Sequence, residues 1–350
     1  MTALVVNGRF LTQALTGVQR FAAEITRLLP APVTVLAPPA APAMAGIAVR
    51  HVGSLAGHTW EQFDLPRHAG AGVLLNLGNT APLVLRRQVV VIHDAATFAV
   101  PEAYSWRFRT FYRALQRALV WRGVVLATVS AFSCDQIARH LGVDPQGIAV
   151  LGEGAEHILR APADAALHAR LGLSRPYALA VGSLAPHKNL AALSATAGML
   201  AERGMDLVIT GDIAAGVFAG AGAVPQPARL VGRVNDAALR ALYEQARCFV
   251  FPSLHEGFGL PAVEAMACGC PVVAAFAGAL PEVCGDAALL ADPTSPADIA
   301  AAVARVLDDA ALADHLRAAG RARAAGFTWA AAAGALAGVA ARLADAEHAQ

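Results

Sequence analysis

Short apolar runs alternate with helical segments along most of the chain, and glycine-rich or polar turns separate them. Leu4 to Asn7, Val89 to Ile92, Tyr177 to Val181, Leu207 to Thr210 (ending at Gly211-Asp212), Arg229 to Gly232, Cys248 to Phe251, Val272 to Ala275 and Ala288 to Leu290 read as strands. Their nearly unbroken apolar character suits parallel strands covered on both faces. Helical periodicity marks Phe21 to Leu29, Asp236 to Ala246, Ala262 to Cys268 and the C-terminal run Ala330 to Ala346. Asn235 or Asp236 is the expected cap of the second, and Gly269 closes the third as a left-handed cap. This alternation predicts an α/β chain of doubly wound parallel sheets. With 350 residues, 56% of them hydrophobic, two domains are expected, each with its own core. The boundary is placed between Pro162 and Pro176, which gives domains 1–165 and 172–327.

The richest stretch is His255-Glu256-Gly257-Phe258-Gly259-Leu260-Pro261-Ala262-Val263-Glu264. Gly257 and Gly259 let the backbone approach a ligand closely, and Pro261 suits a first helical turn, where its missing N–H costs little. The free N–H groups of that turn favour an anion such as phosphate. Glu256 sits in the loop and Glu264 about one turn into the helix, so the two carboxylates can reach different parts of one long polar ligand. A sugar nucleotide fits that description. Gly257 to Ala262 also satisfies the dinucleotide fingerprint G-x-G-x-x-A, with Glu282 about 20 residues on. That reading gives no role to Glu256 or Glu264.

Other strand-to-helix junctions carry further candidates. Gly182-Ser183-Leu184-Ala185-Pro186-His187-Lys188-Asn189 is a turn leading into a helix, and Lys188 offers a flexible point charge for a diphosphate. A solvated helix entrance is the plain alternative for His187 and Lys188. Thr16-Gly17-Val18 leads into the first helix. Val89 to Ile92 delivers His93 and Asp94 at its C-terminal end, where ligands bind in open α/β sheets. Ser130 or Ser133 caps the helix after Ala127 to Val129.

Together these motifs resemble the retaining glycosyltransferases of family four, which have the GT-B fold: two Rossmann-like doubly wound parallel-sheet domains facing a central cleft. The resemblance runs from the Gly17 loop to Trp329 and is strongest from Arg229 to Glu282. It implies that Glu256 contacts the donor sugar, that Glu264 holds the nucleotide ribose, and that the Phe258, Gly259 and Leu260 N–H groups lie near sugar and phosphate. It implies that Lys188, beside Gly182, neutralises the departing diphosphate. Ser183 and His187 stand where the family often has an arginine, so either His187 takes its place or Lys188 carries the charge alone. Gly17 resembles the glycine that lets backbone approach the donor phosphates, and His93 a histidine lying against donor sugar or acceptor. Arg233 and Val234 fall near the base. The family's last helix returns to the first domain, as 328–350 is expected to do, with Trp329 as an anchor.

Asn7-Gly8-Arg9-Phe10-Leu11, Trp60-Glu61-Gln62 and His93-Asp94 are most similar to bacterial mannosyltransferases of surface-polysaccharide assembly. The implied reaction moves mannose from GDP-mannose to a lipid-linked oligosaccharide with retention of configuration. The chain has no Asp-x-Asp motif, and neither metal nor cofactor is expected. Alternatives are a transferase using a UDP-sugar (glucose or GlcNAc) or another GDP- or dTDP-sugar, an epimerase or phosphorylase of the same fold, and a non-catalytic sugar-nucleotide-binding subunit.

A formal net charge of +1 argues against a nucleic-acid partner, and five scattered cysteines fit a reducing compartment. No apolar run is expected to reach the roughly 18 residues that span a bilayer, so a cytoplasmic protein is expected, at the inner face of the membrane. From Trp106 to Arg122 five arginines interleave with aromatic residues and no acid. Phe108, Phe111, Tyr112, Leu115 and Leu119 share one helical face, and Arg109, Arg113 and Arg117 another. That pattern suits a peripheral membrane contact, a core-facing helix with a basic outer face, or phosphate contacts to the acceptor.

Overall fold

A computed structural model of the chain describes residues 3–30, 32–211 and 224–348, so Asp212 lies outside the described residues. Two compact units divide them. The first takes in the chain up to Ala99, Arg107–Glu153 and the chain from Trp329 on; the second takes in Val100–Trp106 and Gly154–Thr328.

Seven parallel strands form the sheet of the first unit: β1 (Leu4–Asn7), β2 (Val33–Ala37), β3 (Val49–His51), β4 (Val73–Asn76), β5 (Gln88–Val91), β6 (Val125–Thr128) and β7 (Ile148–Val150). Their order is β3-β2-β1-β4-β5-β6-β7. The chain therefore winds outward from β1 to one side, then returns and winds outward from β4 to the other. A crevice opens at the C-terminal ends of β1 and β4, where the direction switches. The helix Gly17–Leu28 follows β1 and buries Phe21 and Ile25 completely. Against Phe21 stands the equally buried Trp329, ring centroids 6.0 Å apart in an edge-to-face contact.

Trp329 opens the helix Trp329–His348, whose stripe of Ala332, Ala333, Leu336, Val339 and Ala340 is buried. Within the stretch 310–346 an 18-residue window with a mean hydropathy of 1.4 is apolar enough, by length and composition, to cross a bilayer, which corrects the expectation that no such run exists. Its alanines supply that hydropathy. The stretch falls into two helices, Ala310–Ala325 and Trp329–His348, interrupted at Gly326.

The helix Trp106–Trp121 packs its leucines inward and part of its aromatic face against neighbouring side chains. Leu115 and Leu119 are buried, Phe108 stacks on Tyr112 at 4.2 Å, and Phe111 lies 4.7 Å from the His58 ring. Arg113 and Arg117 lie over Phe98, 5.3 and 5.2 Å from its centroid. The exposed large residues are Trp106, Phe111 and Trp121.

The second unit repeats the topology with six parallel strands: β8 (Tyr177–Val181), β9 (Asp206–Thr210), β10 (Arg229–Gly232), β11 (Cys248–Phe251), β12 (Val272–Ala275) and β13 (Ala288–Ala291). The order is β10-β9-β8-β11-β12-β13, and the switch falls between β8 and β11. Alternate residues Ala178, Ala180, Leu207, Ile209, Cys248 and Val250 pack on Leu193, Leu200, Ile299 and Val303 of the covering helices. The period-two pattern sends one side of each strand into this layer. All five cysteines are buried thiols, and burial pushes those of Cys248, Cys268 and Cys284 up to about 12, so they act as packing groups.

Trp329→Ala should remove a fully enclosed aromatic side chain and lower stability by about 3–5 kcal/mol. Chemical denaturation monitored by circular dichroism measures this. A loss below about 1 kcal/mol would show that the contact with Phe21 does not secure the last helix.

Candidate active site

In the second unit β8 and β11 are neighbours, with Cys248 opposite Ala178 and Phe249 opposite Leu179. The loops leaving their C-terminal ends meet. Asn189, in left-handed backbone at φ 56, donates from Nδ2 to the carbonyls of Pro252 and Pro293 at 3.0 and 2.8 Å. Leu254 N donates to the His187 carbonyl at 2.8 Å. A 3-10 turn, Pro186–Lys188, closed by Lys188 N on the Ala185 carbonyl, then directs the lysine across the gap. Lys188 Nζ donates to Glu256 Oε1 at 2.7 Å, with side chains 23% and 11% exposed. The pair is sheltered but within reach of a ligand. An ammonium has three donors and only one is used by this bond.

Glu256 is held from behind by a segment that carries no charge. Gly278 has φ +61, and a Cβ there would stand 2.7 Å from Glu256 N and 2.8 Å from Glu256 O. Ala279 N donates to the Glu256 carbonyl at 3.0 Å. Gly259, at φ +99, begins the helix Leu260–Ala267, and a Cβ there would meet Leu280 Cδ2 at 2.5 Å. That conformation starts the helix two residues before the expected Ala262. Pro261 falls in the first turn, where its missing N–H costs little, and Ala262 N donates to the Gly259 carbonyl at 2.9 Å. On the β8 side Gly182 is approached by Gly211, whose added Cβ would lie 2.0 Å from the Gly182 carbonyl.

Glu264 lies inside the helix with both oxygens engaged. His157 Nε2 is 2.9 Å from Oε1, and because a carboxylate only accepts, that nitrogen carries the proton. Tyr243 Oη donates to Oε2 at 3.2 Å. Burial first, and the Glu264 charge second, push the Tyr243 phenol well above its ordinary value, so it stays a donor. Phe258 and Leu260 are buried, Phe258 edge-on to Phe327 at 5.4 Å. His187 is buried and stacks on Tyr104 with centroids 6.2 Å apart. Ser183 is half-buried, its Oγ 3.5 Å from Ala185 N. The structure thus gathers Gly182, Ser183, His187, Lys188, Glu256, Phe258, Gly259, Leu260 and Glu264 on the β8 and β11 loops and the following helix. Exposed Arg233 and half-buried Val234 follow β10, the edge strand beyond β9.

The first unit holds its own polar centre. His93 follows β5, and its N–H donates to Asn79 Oδ1 at 2.7 Å. Its Nε2–H donates to the Leu77 carbonyl at 3.0 Å, its Nδ1 faces Glu153 Oε1 at 3.4 Å, and Phe21 meets the ring edge-on at 4.7 Å. Ser133 Oγ donates to the His93 carbonyl, while Ser130 Oγ caps the following helix by accepting from Ser133 N. Gly17 starts the helix Gly17–Leu28 with nothing within 4 Å of an added Cβ, so packing leaves open space there. At the β1/β4 switch point Glu61 Oε1 accepts from Asn7 Nδ2 at 2.7 Å, Arg9 Nε at 3.2 Å and Thr80 Oγ1 at 3.0 Å. Burial opposes its charge most strongly, yet hydrogen bonds from His58, Asn7 and Thr80 and the charge of Arg9 together hold the carboxyl below its usual range.

Sequence reasoning missed His157, Tyr243, Glu153, Asn79 and Gly278. The His157 to Glu264 contact spans 107 positions, so no local spacing signals it.

Solved glycosyltransferases share this pair of sheets. HepE of Anabaena, in complex with UDP and glucose, superposes with a TM-score of 0.76 at 17% identity, over 98% of this chain and all of that one. WaaG, a glycosyltransferase involved in lipopolysaccharide biosynthesis, gives 0.69 at 14%, over 97% and 99%. These define the fold as that of the GT-B glycosyltransferases. Residues 175–309 match the family described as glycosyl transferases group 1. The chain is 34% identical over 261 residues to O-antigen chain mannosyltransferase B of Escherichia coli, covering 71% of this chain and 68% of that one. It is 27% identical to O-antigen chain mannosyltransferase RfbU of Salmonella typhimurium over 63% of each chain. The chain belongs to the group 1 glycosyl transferases, and it is a glycosyltransferase.

Gly278→Ala should displace the Glu256 backbone while the strands stay paired, and turnover should fall about 10²-fold, as for a misplacement on the order of 1 Å. Activity measured beside a thermal melt checks this. Full activity with an unshifted melt would mean that the close approach does not position Glu256.

Proposed function

We propose that this enzyme transfers mannose from GDP-mannose, with retention of configuration, to a lipid-linked saccharide in surface-polysaccharide assembly. The observation that carries the reading is the Lys188–Glu256 pair at the β8/β11 switch point, in a chain whose relatives include O-antigen mannosyltransferases. Lys188 meets the diphosphate, and its charge stabilises the negative charge that develops as the glycosidic bond breaks. The N-terminus of the helix Leu260–Ala267 adds its partial positive charge, with the Phe258, Gly259 and Leu260 N–H groups directed at sugar and phosphate. Glu256 holds the donor sugar, and Glu264 the ribose. Gly182 leaves room for the diphosphate beside Lys188, with Ser183 and His187 at its edge, and Arg233 and Val234 meet the base. Gly17 leaves backbone open to the phosphates, and His93 meets the donor sugar or acceptor. The acceptor hydroxyl attacks from the face the leaving group departs.

The lipid-linked acceptor brings the enzyme to the cytoplasmic face of a membrane. Exposed Trp106, Phe111 and Trp121 supply amphipathic contacts at the lipid headgroups, and the arginines of the same helix supply attraction to anionic lipid.

Release of nucleoside diphosphate from a panel of GDP- and UDP-sugars, in EDTA, with and without a membrane lipid extract, tests this. GDP release from GDP-mannose should rise with the extract and persist in EDTA. Glu256→Ala should lower it by about 10²–10³-fold with the fold intact by circular dichroism. UDP release from a UDP-sugar instead would overturn the donor, and turnover indifferent to the extract would overturn the acceptor.

A further inference from the structure

We propose that His157 and Tyr243 are positioning residues that fix the Glu264 carboxylate for the two ribose hydroxyls of the donor nucleotide; this rests on the reading of Glu264 as the ribose ligand. Three separate elements bring the groups together. His157 lies in the 3-10 turn Glu156–Leu159, Tyr243 on the helix Asp236–Gln245, and Glu264 on the helix Leu260–Ala267. Each is held before it reaches the carboxylate. Arg240 Nη1 donates to the carbonyls of Leu159 and Ala161, both at 2.9 Å, and fastens the 3-10 turn to the neighbouring helix. Tyr243 is wedged edge-on against Phe249 at 5.5 Å.

Burial differs between the partners in a way that matters. The His157 side chain is 1% exposed and that of Glu264 9%, so the glutamate is the more accessible of the two and the imidazole is enclosed. A carboxylate offers about four acceptor positions. His157 takes one on Oε1 at 2.9 Å and Tyr243 one on Oε2 at 3.2 Å. One position on each oxygen is left, a pair matched to two adjacent hydroxyl donors. A diol hydrogen-bonds best to a carboxylate whose plane is already set, because the rotamer entropy is lost before binding. A purely structural core would be served as well by apolar groups of similar volume, since enclosed ionic groups seldom add net stability.

The test is calorimetric binding, by the full chain, of GDP and of 2′,3′-dideoxy-GDP, with the matching uridine pair run alongside. In the wild type the ribose form should bind about tenfold more tightly than the dideoxy form, and Glu264→Ala should abolish that preference. His157→Leu should cut the preference to about threefold or less and leave dideoxy affinity unchanged, because the diphosphate contacts survive; His157→Gln, which keeps a donor, should restore most of it. A wild-type preference retained in His157→Leu but lost in Glu264→Ala would overturn the positioning role and leave the ribose reading intact. A preference that survives Glu264→Ala, or none in the wild type with either base, would remove both. Where His157→Leu binds neither form, Tyr243→Phe decides, since it removes one hydroxyl and keeps the ring: a preference lowered about threefold supports the proposal, and an unchanged one overturns it.

Discussion

The ion pair between Lys188 and Glu256 is the contact on which the second unit's site depends. It joins the loops of two adjacent central strands, and both loops are shaped to bring it about. Pro186 and Asn189 turn the lysine inward, while Gly278 and Ala279 press the glutamate backbone forward. At 2.7 Å and with partial burial, each charge would be poorly solvated without the other. Because the lysine keeps further donors, the same group can serve a carboxylate and a phosphate at once.

The first unit uses the same strand order to a different end. At its β1/β4 switch point the charged groups are turned on one another: Glu61 Oε1 alone accepts from Asn7, Arg9 and Thr80. Asn76 continues the network to Gln88, whose Nε2 donates to the carbonyls of Pro82 and Leu85. Such a saturated network fixes the loops after β1 and β4 with respect to the sheet. His93, one strand along, has its ring nitrogens facing Leu77 O and Glu153, so its orientation is set by partners on both sides. Topology supplies the crevice, and side-chain chemistry decides whether it is locked or left able to receive a ligand.

Much of this was legible because buried parallel strands leave a plain mark. Tyr177–Val181, Arg229–Gly232, Cys248–Phe251 and Val272–Ala275 were read to the residue, each being a compact run ended by a turn. β2, β3 and β4 are absent from the expected strands: the three residues of β3 are partly or fully exposed at the sheet edge and carry no apolar pattern, whereas β4 is buried throughout but only four residues long. The helix Trp106–Trp121 was read correctly as amphipathic, but composition could not say which face was covered; Leu115 and Leu119 answer that. Lys188, Glu256 and Glu264 were visible through motif and spacing. Their supports were not: His157 reaches Glu264 across 107 positions, and Gly278 matters only because another backbone lies against it. Pairings of this kind are created by the fold and have no local signature.

In the proposed reaction Lys188 answers the diphosphate and Glu256 the sugar. The most direct measurement is the affinity for GDP, which lacks the sugar, in the wild type, Lys188→Ala, Glu256→Ala and the double variant. Lys188→Ala should weaken GDP binding by about tenfold or more, while Glu256→Ala should leave it equal or tighter because a competing carboxylate is gone. Equal weakening by both single variants would contradict these roles, and would mean that the pair acts as one structural clamp.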